Sequence, residues 1–191
     1  MGTSKALVKI KGKEMLAWVV EGLKPLVDEI IVVAKDESIK SSYEKIVPSV
    51  KIITDVMRLD GPLVGIYSAF LQTASEYAYV HPIDSPIINN DVIQYLFQKA
   101  SGYDASIVRW NDGAIEPMHA VYNVKTGLAL AKVMLDRGDT SAKVLASKLE
   151  NVNYIPVDDL RKFDDKLISL LNVNTPQDLD TIQSFLGKSR T

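Results

Sequence analysis

Cysteine is absent from the 191 residues, which rules out a disulfide scaffold, a thiolate metal site and a cysteine nucleophile together. Any metal must then be held by oxygen or histidine. An excess of one charge is also missing: 22 Lys and Arg face 24 Asp and Glu, a formal net charge of −2. Coating DNA or an anionic membrane needs clustered positive side chains, so neither is expected as a partner. No apolar run approaches the roughly 20 residues of a membrane helix. The start, Met1-Gly2-Thr3-Ser4-Lys5, has no signal-peptide pattern, and Met1-Gly2 reads as ordinary initiation before a loop rather than a lipidation site. A cytoplasmic protein is expected. No Gly, Ser or Pro linker and no repeat divides the chain, so residues 1–191 are expected to form a single domain. Its 47% apolar content is enough for a substantial core and excludes intrinsic disorder.

Strand and helix signals alternate. Met15, Leu16, Val19, Val20 and Leu23 keep helical spacing, and Pro25 marks the end of that helix. Glu29 to Ala34 is a nearly continuous β-branched run, the pattern of a central strand covered on both faces. Leu63, Ile66, Tyr67, Phe70, Leu71 and Ala74 give a second amphipathic helix, and Tyr77 to Ile83 another strand. A helix near Asp91 to Ala100, strands near Ala105 to Trp110 and Pro117 to Asn123, and a helix near Leu128 to Leu135 follow. The fold class this implies is α/β, a three-layer sandwich with a mostly parallel sheet, whose ligands bind at the carboxyl ends of the strands.

Four places could carry chemistry. His81-Pro82-Ile83-Asp84-Ser85-Pro86 sets Asp84 just past a strand, where a carboxylate suits Mg²⁺ beside nucleotide phosphates; alternatively the aspartate only caps the turn leading to Asn89. His81 lacks a second ligand at metal spacing and reads as a packed strand histidine. Asp55 to Gly65, with Gly61, Pro62, Leu63 and Gly65 ahead of a helix, offers backbone amides to a phosphate. In the same loop Asp55 or Asp60 could accept from the N1 and N2 hydrogens of guanine; alternatively Asp60-Gly61-Pro62 is a turn with Pro at the first helical position. In Asn172-Val173-Asn174-Thr175-Pro176-Gln177-Asp178, Thr175 reads as a helix cap, Pro176 as its first residue and Asp178 as its third. Asn172 and Asn174 then remain on one side of an extended segment, placed to hold a substrate or a metal-bound water. Lys5, near the start, is by itself an ordinary solvated lysine.

Taken in order, these segments resemble the molybdenum cofactor guanylyltransferases, from Met1 to about Leu186. Met1-Gly2-Thr3-Ser4-Lys5-Ala6-Leu7 is similar to the end of that family's glycine-rich signature, which implies that Lys5 contacts nucleotide phosphates. Asp55 with Gly61-Pro62-Leu63-Val64-Gly65 resembles its guanine-reading aspartate and Gly-Pro-Leu-x-Gly loop. Asp84-Ser85-Pro86 resembles its Asp-x-Pro metal site, and Asn172-Val173-Asn174-Thr175-Pro176 its Asn-x-Asn-Thr-Pro segment near the pterin. The resemblance implies a nucleotidyltransferase using Mg²⁺ as cofactor, held by Asp84, with GTP and molybdopterin as substrates. It also implies transient contact with molybdoenzymes or other cofactor-biosynthesis proteins. Lys5 and Asp84 would be catalytic, Asn172 and Asn174 would border the acceptor. Another base or acceptor, such as cytidylyl transfer to the pterin or guanylyl transfer to a cobamide precursor, and a catalytically silent binding protein remain open.

Three departures stand out. The family's sheet opens with a strand ending in Leu-Ala-Gly-Gly and a following Arg, and this chain begins after that stretch. Glu116-Pro117 stands where the family usually has Gln-Pro, and Ala34-Lys35 where many members carry Ala-Asn. Without the opening strand, its neighbours are expected to keep unpaired backbone groups, at about 1–3 kcal/mol for each one buried.

Overall fold

A computed structural model of the protein describes residues 5–188; the Met1-Gly2-Thr3-Ser4 part of the amino-terminal signature lies outside them. A 3₁₀ turn at Lys5–Leu7 leads into a hairpin of β1 (Lys9–Ile10) and β2 (Lys13–Glu14), then helix α1 (Met15–Leu23). Next come β3 (Ile31–Ala34), α2 (Glu37–Ile46), β4 (Lys51–Thr54), α3 (Pro62–Phe70) and β5 (Tyr77–Val80). The second half holds α4 (Asn90–Ala100), β6 (Ala105–Arg109), β7 (Ile115–Asn123), α5 (Val124–Asp136), α6 (Ala142–Lys148), β8 (Val152–Pro156) and α7 (Pro176–Lys188). The α/β reading holds, and the sheet structure is mixed.

Strands β5, β7, β6 and β8 pair in that order, with β7 antiparallel to both neighbours and β8 parallel to β6. Period-two alternation sends Ala105, Ile107, Ala120 and Tyr122 to one face, where they meet Leu63, Phe70, Met134 and Leu145 from α3, α5 and α6. Val108, Val121 and Ile155 go to the other face and meet Val92 and Leu96 of α4. Both faces of this sheet are therefore covered by helices, which makes the three layers.

Strands β3 and β4 form a separate parallel pair, Ile31 opposite Lys51 through Ala34 opposite Thr54. Their inner face, Val32, Ala34 and Ile52, packs on Leu16 and Val20 of α1 and on Tyr43 at the end of α2. The continuous β-branched run implied a central strand with both faces covered. Helices do pack on both faces, α1 and α2 on one and α3 on the other, but among the described residues β3 pairs on one edge only, and Ile31 and Val33 are half-buried. The run is two-sided in composition, but no described strand lies along its second edge.

What lies there is a cavity of about 990 Å³, bounded by β3 on one side and β5 on the other, with α1 and α3 as its two walls. Strands β3 and β5 run in the same direction. Ile30, ahead of β3, clusters with Tyr79, whereas Ile83, beyond β5, joins the cluster of Val32 and Ala34. The carboxyl ends of β3, β4 and β5 thus share one mouth of the cavity.

Candidate active site

Asp84 follows β5 through Pro82, which cannot donate to a ladder and so ends the strand at Val80, three residues sooner than the apolar pattern to Ile83 implied. Its carboxylate does not cap the next helix. That cap is Asn89, whose Oδ1 accepts from the Val92 amide at 3.1 Å. Asp84 Oδ2 instead accepts from Lys5 Nζ at 2.8 Å, and the same ammonium donates to Asn174 Oδ1. One lysine therefore ties together two residues that lie 79 and 169 positions beyond it in the chain. The backbone repeats the connection, because the Val173 amide donates to Asp84 O at 2.8 Å.

That bond presents Asn172 and Asn174 on one side of an extended segment while Val173 turns into the cluster of Ile10, Met15 and Ile182. The segment is not a strand, although its side chains alternate as in one. Beyond it, the helix cap is as the sequence implies: Thr175 Oγ1 accepts from the Asp178 amide, and Asp178 Oδ2 accepts from the amides of Asn174 and Thr175. Those amides hold the Asp178 carboxyl below its ordinary range.

The two asparagines differ in what they touch. Asn174 is exposed and meets Lys5, whereas Asn172 Oδ1 accepts from Ser85 Oγ at 2.6 Å. Having spent its proton there, Ser85 Oγ accepts from His119 Nε2 at 3.2 Å. His81 Nε2 donates to Ser85 O at 2.8 Å, so His81 Nδ1 is the acceptor for the Tyr79 hydroxyl. His81 is therefore packed and hydrogen-bonded as expected, although it lies one residue past the end of β5. Burial holds His81 down to about 4; its bond to Ser85 O and the nearby Asp84 charge oppose this. Burial, aided by the neighbouring His81, holds His119 down to about 3. Both rings are neutral at neutral pH. Neither Ser85 nor His119 stood out in the sequence; the signal available for His119 was a polar residue at an inward position of an apolar strand.

On the opposite side of the mouth, Asp55 comes directly after β4, and its amide donates to Ala34 O at 2.9 Å. Its Oδ1 is buried and has no hydrogen-bond partner. Burial raises the Asp55 carboxyl above its ordinary value, with a hydrogen bond to the Ser68 side chain and, less, Lys35 opposing. Asp60, the other carboxylate of this loop, is exposed and paired with Lys35 at 2.6 Å. The structure therefore separates two aspartates that the sequence left equivalent, one with a buried carboxylate oxygen that lacks a partner and one exposed and ion-paired.

The glycine loop sits between them. Gly61 has φ +146°, and a Cβ there would lie 2.7 Å from Thr140 O. Gly65 faces Asp55, with Oδ1 3.9 Å from where its Cβ would be. Of the amides at this helix start that the sequence left available to a phosphate, two are already engaged. Pro62 has no N–H, Leu63 donates to Thr140 O at 3.1 Å and Val64 to Gly61 O at 3.2 Å. Thr140, which comes from the turn before α6, supplies that acceptor because Gly61 lets the two backbones approach.

Among the described residues no group of three or more His, Asp or Glu side chains could hold a metal, and no helix is long and apolar enough to cross a membrane. A carboxylate, a lysine and polar side chains gathered at the carboxyl ends of strands, beside a buried carboxylate oxygen lacking a donor, mark an α/β protein built to handle a nucleotide. Residues 1–152 match the MobA-like NTP transferase domain model, and the chain belongs to that family of nucleotidyltransferases. It is 34% identical over 186 residues to the probable molybdenum cofactor guanylyltransferase of Methanosarcina mazei, covering 93% of this chain and 81% of that protein. The relative so named in Methanosarcina acetivorans is 34% identical over 195 residues, covering 96% and 84%. Among solved structures, molybdopterin-guanine dinucleotide biosynthesis protein A of Archaeoglobus fulgidus superposes with a TM-score of 0.83 at 30% identity, covering 98% of this chain and 92% of that one. At 12% identity, a 4-diphosphocytidyl-2C-methyl-D-erythritol synthase from Anaerococcus prevotii has a TM-score of 0.72, covering 95% and 93%, which is a likeness of fold.

Proposed function

We propose that residues 1–191 act as one nucleotidyltransferase domain that transfers GMP from GTP to molybdopterin. An oxygen of the pterin's terminal phosphate attacks the α-phosphorus, the bond to the β-phosphate breaks, and pyrophosphate leaves. The chain's contribution is positioning and charge neutralisation, with no protein nucleophile.

The observation that carries this reading is the buried, unpartnered Oδ1 of Asp55. A carboxylate accepts only, and guanine presents two adjacent donors, N1–H and the N2 amino group, to satisfy it. Cytosine has no such pair. Lys5 would shift from Asp84 to the nucleotide's phosphates. Asn172, whose carbonyl is held by Ser85, would offer its amide hydrogens to the acceptor beside Asn174. Asp84, with Oδ2 released by Lys5, would hold Mg²⁺. A single carboxylate fits that ion, which commonly takes one or two protein carboxylates and completes its shell with phosphate oxygens and water. When bound, Mg²⁺ neutralises phosphate charge.

The resemblance supports a soluble cytoplasmic setting and contact with molybdoenzymes or other cofactor-biosynthesis proteins that receive the product. The test is pyrophosphate release from GTP and from CTP, each with molybdopterin and Mg²⁺. Release and dinucleotide formation with GTP are expected. Equal turnover with CTP would defeat the assignment of Asp55, and binding of both substrates without turnover would favour a silent binding protein.

A further inference from the structure

The chain has two histidines, and both converge on Ser85. His81 Nε2 donates to its backbone oxygen and His119 Nε2 to its hydroxyl. His119 reaches that hydroxyl through an irregularity in the sheet. Ile107 and Val108 are neighbours on β6, but their partners on β7 are Ala120 and Glu116, so Pro117, Met118 and His119 have no residue opposite them. The Tyr122 hydroxyl donates to Pro117 O at 2.7 Å and closes this bulge. A bulge re-aims the side chains it carries. On the other side Val80 of β5 pairs with Ala120, which sets His119 beside His81, their ring centroids 5.1 Å apart and their planes at 83°. Ser85 and His119 are both fully buried and so cannot touch a substrate. Their contact nonetheless continues outward, because Ser85 Oγ donates to Asn172, which is half-buried at the site.

We propose that Ser85 and His119 are positioning residues for the acceptor: they hold Asn172 Oδ1 inward, so that the amide hydrogens of Asn172 face the acceptor's terminal phosphate. The chain of bonds has a direction. A neutral imidazole carries a single N–H, and His119 is neutral because burial opposes its charge. With that proton on Nε2, His119 donates to Ser85, Ser85 donates to Asn172 Oδ1, and the amide hydrogens of Asn172 are left for the site. In the reverse sense the Asn172 amide would donate to Ser85 and Ser85 to His119, which would put the imidazole proton on Nδ1. That nitrogen is buried without a partner among the described residues, and a buried N–H lacking an acceptor is rarer in folded proteins than a bare lone pair. Ionised phosphate oxygens only accept, so they bind an amide that turns its hydrogens outward and are repelled by one that turns its carbonyl outward. The role rests on the proposed place of Asn172 beside the acceptor; what Ser85 and His119 add is the choice of which end of its amide the acceptor meets.

The test has one arm that needs no substrate and one that reads turnover. In nitrogen-15 NMR of the unliganded protein at neutral pH, His119 is expected as the Nε2–H tautomer, and the side-chain amide signals of Asn172 should move in both Ser85→Ala and His119→Phe. Pyrophosphate release is then measured against GTP and against molybdopterin separately. Ser85→Ala and His119→Phe are expected to raise KM for molybdopterin by ~10-fold, the scale of losing one hydrogen bond to a charged group, while KM for GTP changes by less than ~2-fold. His119→Gln, which keeps a donor for Ser85, should return KM for molybdopterin to within ~3-fold of the parent value. A role confined to folding would lower the melting temperature without separating the two KM values. An equal rise in both, an unchanged KM for molybdopterin in Ser85→Ala, or an Nδ1–H tautomer for His119 would overturn the proposal. If the parent protein releases no pyrophosphate, the guanylyl-transfer reading fails, and the tautomer and the Asn172 amide signals alone decide whether Ser85 and His119 orient Asn172.

Discussion

At the residue scale the site contains two carboxylates with opposite situations. Asp84 is ion-paired with Lys5, but their side chains are 22% and 42% exposed, so the pair contributes little stability in the folded state, on the order of 0–1 kcal/mol. Asp84→Asn is therefore expected to leave the melting temperature unchanged within about 2 °C. Its rate of pyrophosphate release from GTP and molybdopterin should drop by about 10²-fold or more, the scale for removing a group that stabilises transition-state charge. A melting curve beside the assay separates the two effects, and near-normal turnover would remove Asp84 from the metal role. Asp55 is the reverse case. Its buried Oδ1 has no donor, so Asp55→Asn relieves a charge that burial disfavours and should hold or slightly raise the melting temperature. GTP affinity, measured by calorimetry, should fall by roughly 10- to 100-fold as a guanine donor is set against an amide nitrogen. A loss of stability with unchanged GTP affinity would assign Asp55 to folding alone.

Among the elements, α3 shows how a short motif can carry a local signal and a long-range contact together. Pro62 opens the helix as its position implied, and Gly61 precedes it. Gly61 also permits a close approach to Thr140, whose carbonyl takes the Leu63 amide. Gly61→Ala would place a Cβ against that backbone at a φ that L-residues rarely adopt. A destabilisation of about 2 kcal/mol or more is expected from strain and displaced packing, read as a lower urea midpoint with an unchanged slope. Elements with strong periodic signals were legible: α1, α4 and β6 appear where their apolar spacing placed them. Four were not. Helix α2, Glu37–Ile46, is mostly polar and buries only Tyr43; β4 is a four-residue edge strand; α6 has seven residues; and β8 opens with a polar alternation. Such elements are held by their neighbours more than by a pattern of their own.

For the molecule as a whole, the buried histidines make stability depend on pH. Unfolded, each binds a proton near 6.5; folded, His81 does so only near 4 and His119 only near 3. The unfolded chain thus holds more protons in between, so stability is complete above about pH 6.5 and falls as pH drops towards those values. For His119, 1% exposed, the loss is about 2 kcal/mol by pH 5. His119→Gln keeps a donor for Ser85 but cannot take up a proton. Melting curves from pH 7.5 to 5 should therefore fall less steeply for the variant than for the parent protein. Parallel curves would mean that His119 is already protonated in the folded state.

Composition and local pattern by themselves determined the α/β class, the exclusion of thiol chemistry, the cap at Thr175 and the segments carrying Lys5, Asp55, Asp84, Asn172 and Asn174, because each depends on residue type and near neighbours. Only the tertiary structure decided that Lys5 joins Asp84 to Asn174, that Asp55 buries a carboxylate oxygen without a partner while Asp60 is exposed and paired, and that Thr140 occupies the amide of Leu63. These depend on contacts between positions far apart in the chain, which no local spacing encodes. The same holds for β3. Its apolar run is that of an inner strand, but whether an inner strand is covered depends on what lies beside it, and beside β3 lies an open cavity.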